Sequence, residues 1–161
     1  MKSESSDQVN KAKIKAARYC AGAERSPHQV LEKLLKYGLS EDEAQQTLGQ
    51  LQTENFTNEH RFAKAFIHDK FLFNKWGKLR ISIELRKHNI SLSVIEKGLN
   101  TLDNNEYRLM IDELLSKKWD QLTLTEHFLI KKRKTCQFVI SKGFEGDLVI
   151  NQFHKNYPSK R

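Results

Sequence analysis

Helix breakers are scarce in this chain. Its 161 residues include two prolines, Pro27 and Pro158, and seven glycines, which leaves room for long helices. Two cysteines, Cys20 and Cys136, lie far apart without metal-ligand spacing. They read as reduced core thiols of a cytosolic protein, with a structural disulfide as the alternative. No signal-peptide pattern and no long apolar run occurs, so the reading is cytoplasmic with no membrane contact. Strand-like alternation is nowhere sustained. The short run Phe138-Val139-Ile140 is flanked by charged, helix-compatible sequence.

The chemistry of catalysis is missing as well. There is no Gly-rich phosphate loop, no HExxH and no CxxC. The six histidines, His28, His60, His68, His88, His127 and His154, are scattered and read as surface or capping residues. Glu41, Asp42 and Glu43 stand together, where they suit the positive end of a helix dipole better than acid–base work. The expectation is a protein that is not an enzyme and uses no cofactor and no metal.

What is abundant is charge, and it is mostly positive. Charged residues make up 30% of the chain against 38% hydrophobic, with a net charge of +8 and a sequence pI near 9.5. Such a balance favours polyanionic partners, above all nucleic acid, with a simply solvated surface as the alternative. The apolar residues recur at helical spacing: Ala63, Ile67 and Phe71, then Leu92, Ile95, Leu99 and Leu102, then Tyr107, Ile111, Leu114 and Leu115.

An internal repeat organises these helices. LLKYGLSEDEAQQTL from Leu34, LRKHNISLSVIEKGL from Leu85 and VISKGFEGDLVINQF from Val139 align. Gly38, Asn89 and Gly143 then coincide, followed by Leu39, Ile90 and Phe144, by Ala44, Ile95 and Val149, and by Leu48, Leu99 and Phe153. In physical terms a helix ends on a residue that tolerates the left-handed conformation, an apolar residue tucks back, and a new helix begins. Ser40 and Ser91 can cap that next helix, Ser40 with Glu43 as a capping box, whereas Glu145, Gly146 and Asp147 fill the turn in the third copy. Offsets of 51 and 54 residues demand a third helix upstream in each copy. The fold class expected is all-α: three tandem three-helix repeats in an elongated, curved array. Residues 1–9 form a flexible lead-in, 10–56, 57–103 and 104–156 the three repeats, and 157–161 a basic tail. The helices fall at about 10–24, 27–37, 41–53, 58–74, 78–88, 92–102, 104–120, 126–142 and 146–156.

Charge alternates with the repeat. Residues 1–36 carry eight basic and four acidic side chains, whereas residues 37–57 carry four acidic and none basic. The first two helices of each unit are basic and the third acidic or near neutral, so stacked units could line one face with cations. The binding candidates form two clusters. Lys70, Lys75, Lys78, Arg80 and Arg86 bracket Trp76 and Gly77, with Arg61 and Lys64 on the helix before them. Lys131, Lys132, Arg133 and Lys134 follow one another, so a helix points them in different directions. Trp76 either stacks on a base or packs between helices.

Arg61-Phe62-Ala63, then Phe66, Gly77, Arg80-Ile81, Glu84-Leu85 and Ile90, resembles the signature of the RecX family of recombination regulators. The resemblance runs from about Lys11 to His154 and is strongest in the middle repeat. Asn58 or Glu59 stands where an acidic residue commonly precedes the RFA element, and Asn89 where a glycine usually ends the helix. The resemblance implies a monomer that binds the RecA recombinase and its filament on single-stranded DNA. It implies inhibition of strand exchange and of ATP hydrolysis by RecA, in regulation of recombination and DNA repair. The alternative is a single-stranded DNA-binding helical protein that makes no recombinase contact.

Overall fold

The computed structural model describes residues 2–159; Met1 and, of the expected basic tail, Lys160 and Arg161 lie outside the described residues. The described residues form nine α-helices and no strand: α1 (Lys2–Gly22), α2 (Pro27–Lys36), α3 (Glu41–Thr53), α4 (Glu59–Leu72), α5 (Lys78–Lys87), α6 (Leu92–Leu99), α7 (Asn104–Gln121), α8 (Phe128–Ser141) and α9 (Gly146–Asn156). The helix ends agree with the sequence reading to about three residues at all but one end, within the usual fraying of helix termini. No helix among the described residues is long and apolar enough to cross a membrane.

The exception is the start of α1. The expected flexible lead-in is helical from Lys2. The Ser5 hydroxyl donates to Glu43 Oε1 at 2.9 Å, Gln8 Nε2 donates to the Gly38 carbonyl at 3.3 Å, and Val9 packs on the core beneath. A polar sequence signals exposure, but an exposed helix edge tied down by side-chain hydrogen bonds is polar too. The tail reading changes as well at its first residue. Tyr157 stacks on Phe153, with ring centroids 4.9 Å apart, and lies 4.8 Å from Trp119.

The repeat is visible in the backbone. Gly38, Asn89 and Gly143 take φ of +93°, +56° and +97°, the left-handed region in which glycine and asparagine carry least strain. At the first two positions the helix closes in the same way. Gly38 N–H donates to Leu35 O and Leu39 N–H to Leu34 O; Asn89 N–H donates to Arg86 O and Ile90 N–H to Leu85 O. Leu39, Ile90 and Phe144 are buried behind these turns, as are Ala44, Ile95 and Val149 one helix on. The next helix starts differently in each copy. Ser40 caps α3 with Glu43 in a full capping box. The Ser91 backbone N–H is instead taken by Glu59 Oε1 at 2.6 Å, a carboxylate reaching from α4. Glu145 makes no capping bond with its side chain.

The described chain divides into two compact units. The first takes residues up to Phe66 together with Leu85–Glu96, and the second takes Ile67–Glu84 and the residues from Lys97 onward. In the first unit α1 lays Ala12 and Ala16 against Val30 and Leu34 of α2 and Ala44, Leu48 and Leu51 of α3. Ser26, with Pro27 behind it, caps α2 in a second capping box. Arg61 at the start of α4 ties the turn before it, donating to Glu24 Oε1 at 2.6 Å and to the Asn55 carbonyl at 3.0 Å. The His88 ring stands edge-on to Phe62 and Phe66 at 5.2 and 5.6 Å.

In the second unit α7, α8 and α9 pack on one another through Ile111, Leu114, Leu115, Val139, Val149 and Phe153, all buried. Tyr107 of α7 sits between Phe71 of α4, stacked at 5.8 Å, and Phe144, at 5.1 Å. The turn before α5 meets the turn before α9 backbone to backbone. Gly77 N–H donates to the Lys142 carbonyl at 2.9 Å and Leu79 N–H to the Gly143 carbonyl at 3.0 Å. A Cβ on Gly77 would overlap the Gly143 peptide, and one on Gly143 would overlap Arg80.

Glycines of opposite consequence follow from this geometry. Gly77→Ala must spread the two turns and is expected to lower stability by ~1–3 kcal/mol, the usual cost of overpacking. Gly49 lies inside α3 with open space around it. Gly49→Ala is expected to raise stability by ~0.5–1 kcal/mol. Urea unfolding midpoints of the two variants should therefore move in opposite directions, and a Gly77→Ala midpoint at or above that of the parent contradicts the close approach of the two turns.

Candidate nucleic-acid interface

The contact between Gly77 and Gly143 gathers cations that are distant in sequence. Lys75, at φ +55°, turns the chain so that the Trp76 N–H donates to the Lys70 carbonyl at 3.1 Å. The half-buried Trp76 ring then carries a cation on each neighbouring element: the Arg80 guanidinium carbon 4.1 Å from the ring centroid and Lys70 Nζ at 5.4 Å. Lys142 arrives beside them from the end of α8. Partial burial together with the charges of Arg80, Lys75 and Lys117 pushes its ammonium below the ordinary lysine value. Phe138, one turn earlier on α8, lies beneath Lys118 Nζ at 5.0 Å and Lys142 Nζ at 5.8 Å. Lys75 is ion-paired with Glu113 of α7. The result is a surface of aromatic rings set among cations, the arrangement that lets a protein track a phosphate backbone and stack against unpaired bases.

A buried polar chain supports this surface from beneath. The Lys78 backbone N–H donates to the Tyr107 hydroxyl at 3.0 Å, and that hydroxyl donates to Glu145 Oε2 at 2.6 Å. The Lys78 ammonium lies 4.8 Å from the Tyr107 ring centroid. Burial, reinforced by the Glu145 carboxylate, raises the Tyr107 phenol well above its ordinary value of 10.0. Tyr107 thus bolts the first residue of α5 to Glu145, the residue before α9.

Of the sequence candidates, Lys70, Lys75, Lys78 and Arg80 belong to this one surface. Three contributors, Lys117, Lys118 and Lys142, were not singled out by sequence. Their signal was only the basic balance of the segment holding them, because nothing local says which turn they will meet. Arg61, Lys64 and Arg86 lie in the other unit. Arg61 is committed to Glu24 and to the turn it closes, while Lys64 and Arg86 are exposed.

The four-residue run on α8 is dispersed. Lys131 is 6% exposed, with its ammonium 4.1 Å from the Trp119 ring centroid, which corrects its reading as a binding residue. Its methylene stem fills core space and its charge is met by an aromatic face. Lys132 Nζ lies 2.7 Å from His154 Nε2, and Lys134 is ion-paired with Glu126. Arg133 is exposed. Both cysteines are free thiols, raised by burial above their ordinary value.

The described residues are all-helical, with a basic, aromatic-studded surface on one unit. Residues 12–51 match the model of the RecX first three-helix domain, and residues 58–99 that of the RecX second three-helix domain. Among curated relatives, the regulatory protein RecX of Clostridium botulinum (strain Eklund 17B / Type B) is 29% identical over 126 residues, covering 78% of this chain and 58% of that protein. The regulatory protein RecX of Halalkalibacterium halodurans is 27% identical over 147 residues, covering 91% of this chain and 55% of that protein. The chain thus spans less than two thirds of the length of these relatives. The crystal structure of RecX from Lactobacillus salivarius superposes with a TM-score of 0.87 at 19% identity, over 93% of this chain and 97% of that one, a likeness of fold. The chain belongs to the RecX family.

The phenol of Tyr107 gives a pH signature. A raised folded-state value means that the neutral form is favoured by the fold. Its contribution to stability is full below pH ~10, the unfolded value, and is lost as pH rises toward the folded one. Ultraviolet titration of the native protein is expected to show Tyr107 ionising last, together with unfolding. Tyr107→Phe removes that late step and lowers neutral-pH stability by ~1–3 kcal/mol, since the Lys78 N–H and the Glu145 carboxylate are left without a buried partner. An unchanged titration curve for Tyr107→Phe contradicts the assignment.

Proposed function

We propose that this chain regulates the RecA recombinase, binding RecA and its filament on single-stranded DNA and inhibiting recombinase and ATPase activity, within the regulation of recombination and DNA repair. It acts in the cytoplasm as a monomer, by binding alone, with no reaction and no cofactor of its own. Membership of the RecX family carries this reading. The cationic surface around Trp76 supports its nucleic-acid part, because phosphates would relieve the mutual repulsion of Arg80, Lys142 and Lys117 and release counterions. The three repeats expected at 10–56, 57–103 and 104–156 are the units we take to span successive sites on the filament.

The decisive measurement is RecA ATPase on single-stranded DNA, titrated with this protein before and after filaments form. The hydrolysis rate is expected to fall in both orders of addition, and an unchanged rate with the protein in excess sinks the proposal. The second reading, a DNA-binding protein that ignores RecA, is favoured by the same surface. Recovery of RecA on the immobilised protein without DNA separates the two.

The surface itself has a salt signature. The double reversal Arg80→Glu with Lys142→Glu is expected to weaken binding to an oligo-dT strand at least tenfold in ~50 mM salt. It should also flatten the slope of log affinity against log salt by roughly 0.7 for each phosphate that is no longer neutralised. Trp76→Ala is expected to weaken binding by a stacking contribution of ~1–3 kcal/mol while leaving the slope alone. An unaltered slope in a folded double variant removes these residues from the interface.

A further inference from the structure

A second surface of the α7–α9 unit has a different chemistry. Leu129, Cys136 and Ile140 of α8 and Ile150 of α9 line a groove of about 360 Å³, with Gln137 beside them and Lys132 and Arg133 on its rim. The groove is apolar and open: Leu129, Ile140 and Ile150 are 63%, 37% and 39% exposed. Among the described residues that line it, none is acidic.

We propose that this groove docks an acidic amphipathic helix of a partner protein, whose apolar side chains enter the groove and whose carboxylates meet Lys132 and Arg133. The dimensions suit such a guest. Leu129 to Ile140 spans roughly 16 Å along α8, three turns, which a partner helix matches with apolar residues at i, i+4 and i+7. The rim charge selects the sign of the guest: Arg133 is exposed, and Lys132 stands 2.7 Å from His154 and adds positive potential over the groove and its thiol. Nucleic acid fits poorly, since the lining is aliphatic and offers a base no ring to stack on. A second copy fits poorly too, because a symmetric contact sets Lys132 and Arg133 against the same cations of the other copy, on a chain of net charge +8.

The inference rests on the regulatory reading in so far as the partner is a protein. Its peptide-binding measurement contains neither recombinase nor DNA, so the two readings fail separately. The probe is a fluorescein-labelled 16-residue helical peptide with leucines at i, i+4, i+7 and i+11 and glutamates at most other positions. Its controls are the same peptide with lysine for glutamate and a scrambled peptide of the original composition. Fluorescence anisotropy is expected to show saturable binding of the acidic peptide, at least tenfold tighter than either control.

Ile140→Ser with Ile150→Ser empties the groove without changing charge and is expected to weaken binding at least tenfold. Arg133→Glu, wholly on the surface, is expected to do the same. No saturable binding, equal binding of the scrambled peptide, or full binding by the folded double-serine variant overturns the proposal, the last two leaving only diffuse attraction to a basic protein. Sedimentation showing a dimer of this chain that the serine variant abolishes assigns the groove to a second copy and overturns it also. Loss of oligo-dT binding in the serine variant assigns it to nucleic acid, with the same consequence.

Discussion

At Gly143 two demands fall on one residue. Its φ of +97° lets α8 end and Phe144 turn inward, and its lack of a side chain lets Arg80 and Leu79 come up against its peptide. The first demand is shared with Gly38 and Asn89, and asparagine satisfies it at the second position because only the backbone angle is constrained there. The second demand is peculiar to the third copy. It forces Gly77 on the opposing turn to be glycine as well, and it sets the Lys142 and Gly143 carbonyls to accept the N–H groups of Gly77 and Leu79, while α8 still closes through the Gly143 N–H on the Ile140 carbonyl. The cationic surface depends on this join. Arg80 reaches Trp76 from the first turn of α5, and Lys142 comes from the last turn before Gly143. Move the two glycines apart and the charges separate with them.

Away from this join the cations are met one at a time. Arg61, Lys131 and Lys134 are spent on the fold: one closes a turn, one covers the face of Trp119, one pairs with Glu126. Around Trp76, partial burial and then the charges of Arg80, Lys75 and Lys117 lower the Lys142 ammonium pKa, and Glu113 is paired with Lys75. Crowding of like charge costs stability unless an anion answers it.

Much of the fold was legible because it is written in local rules. The helix start at Glu41 follows from Ser40 with Glu43 three residues on, and that capping box forms; the structure adds a second one, Ser26 with Gln29, at Pro27. The left-handed positions followed from aligning Gly38, Asn89 and Gly143, and the apolar residues after them are buried. The failures share a cause. The helical start of α1 rests on Ser5 and Gln8 finding partners some thirty to forty residues away. At Ser91 the backbone N–H is taken by Glu59 from another helix, where at Ser40 it is taken by the local Glu43. Half of the cationic surface was legible, the half between Lys70 and Arg80 that sits around one turn. The other half, Lys117, Lys118 and Lys142, is assembled by a tertiary contact for which charge periodicity carries no signal. A run of four cations looked stronger in sequence than it is in space, since α8 turns Lys131 into the core and its neighbours toward separate partners.

Two surfaces of one unit therefore make different offers. Around Trp76 and Phe138 the rings are aromatic and the cations surround them, which suits a flexible polyanion whose bases can stack. Along α8 and α9 the lining is aliphatic, with cations at the rim, which suits a folded segment carrying its own apolar stripe. Both draw on α8, and Phe138 and Ile140 point to opposite uses two residues apart because a helix turns by about 200° over that interval. A single helix that presents one surface on each side fixes the geometry between them.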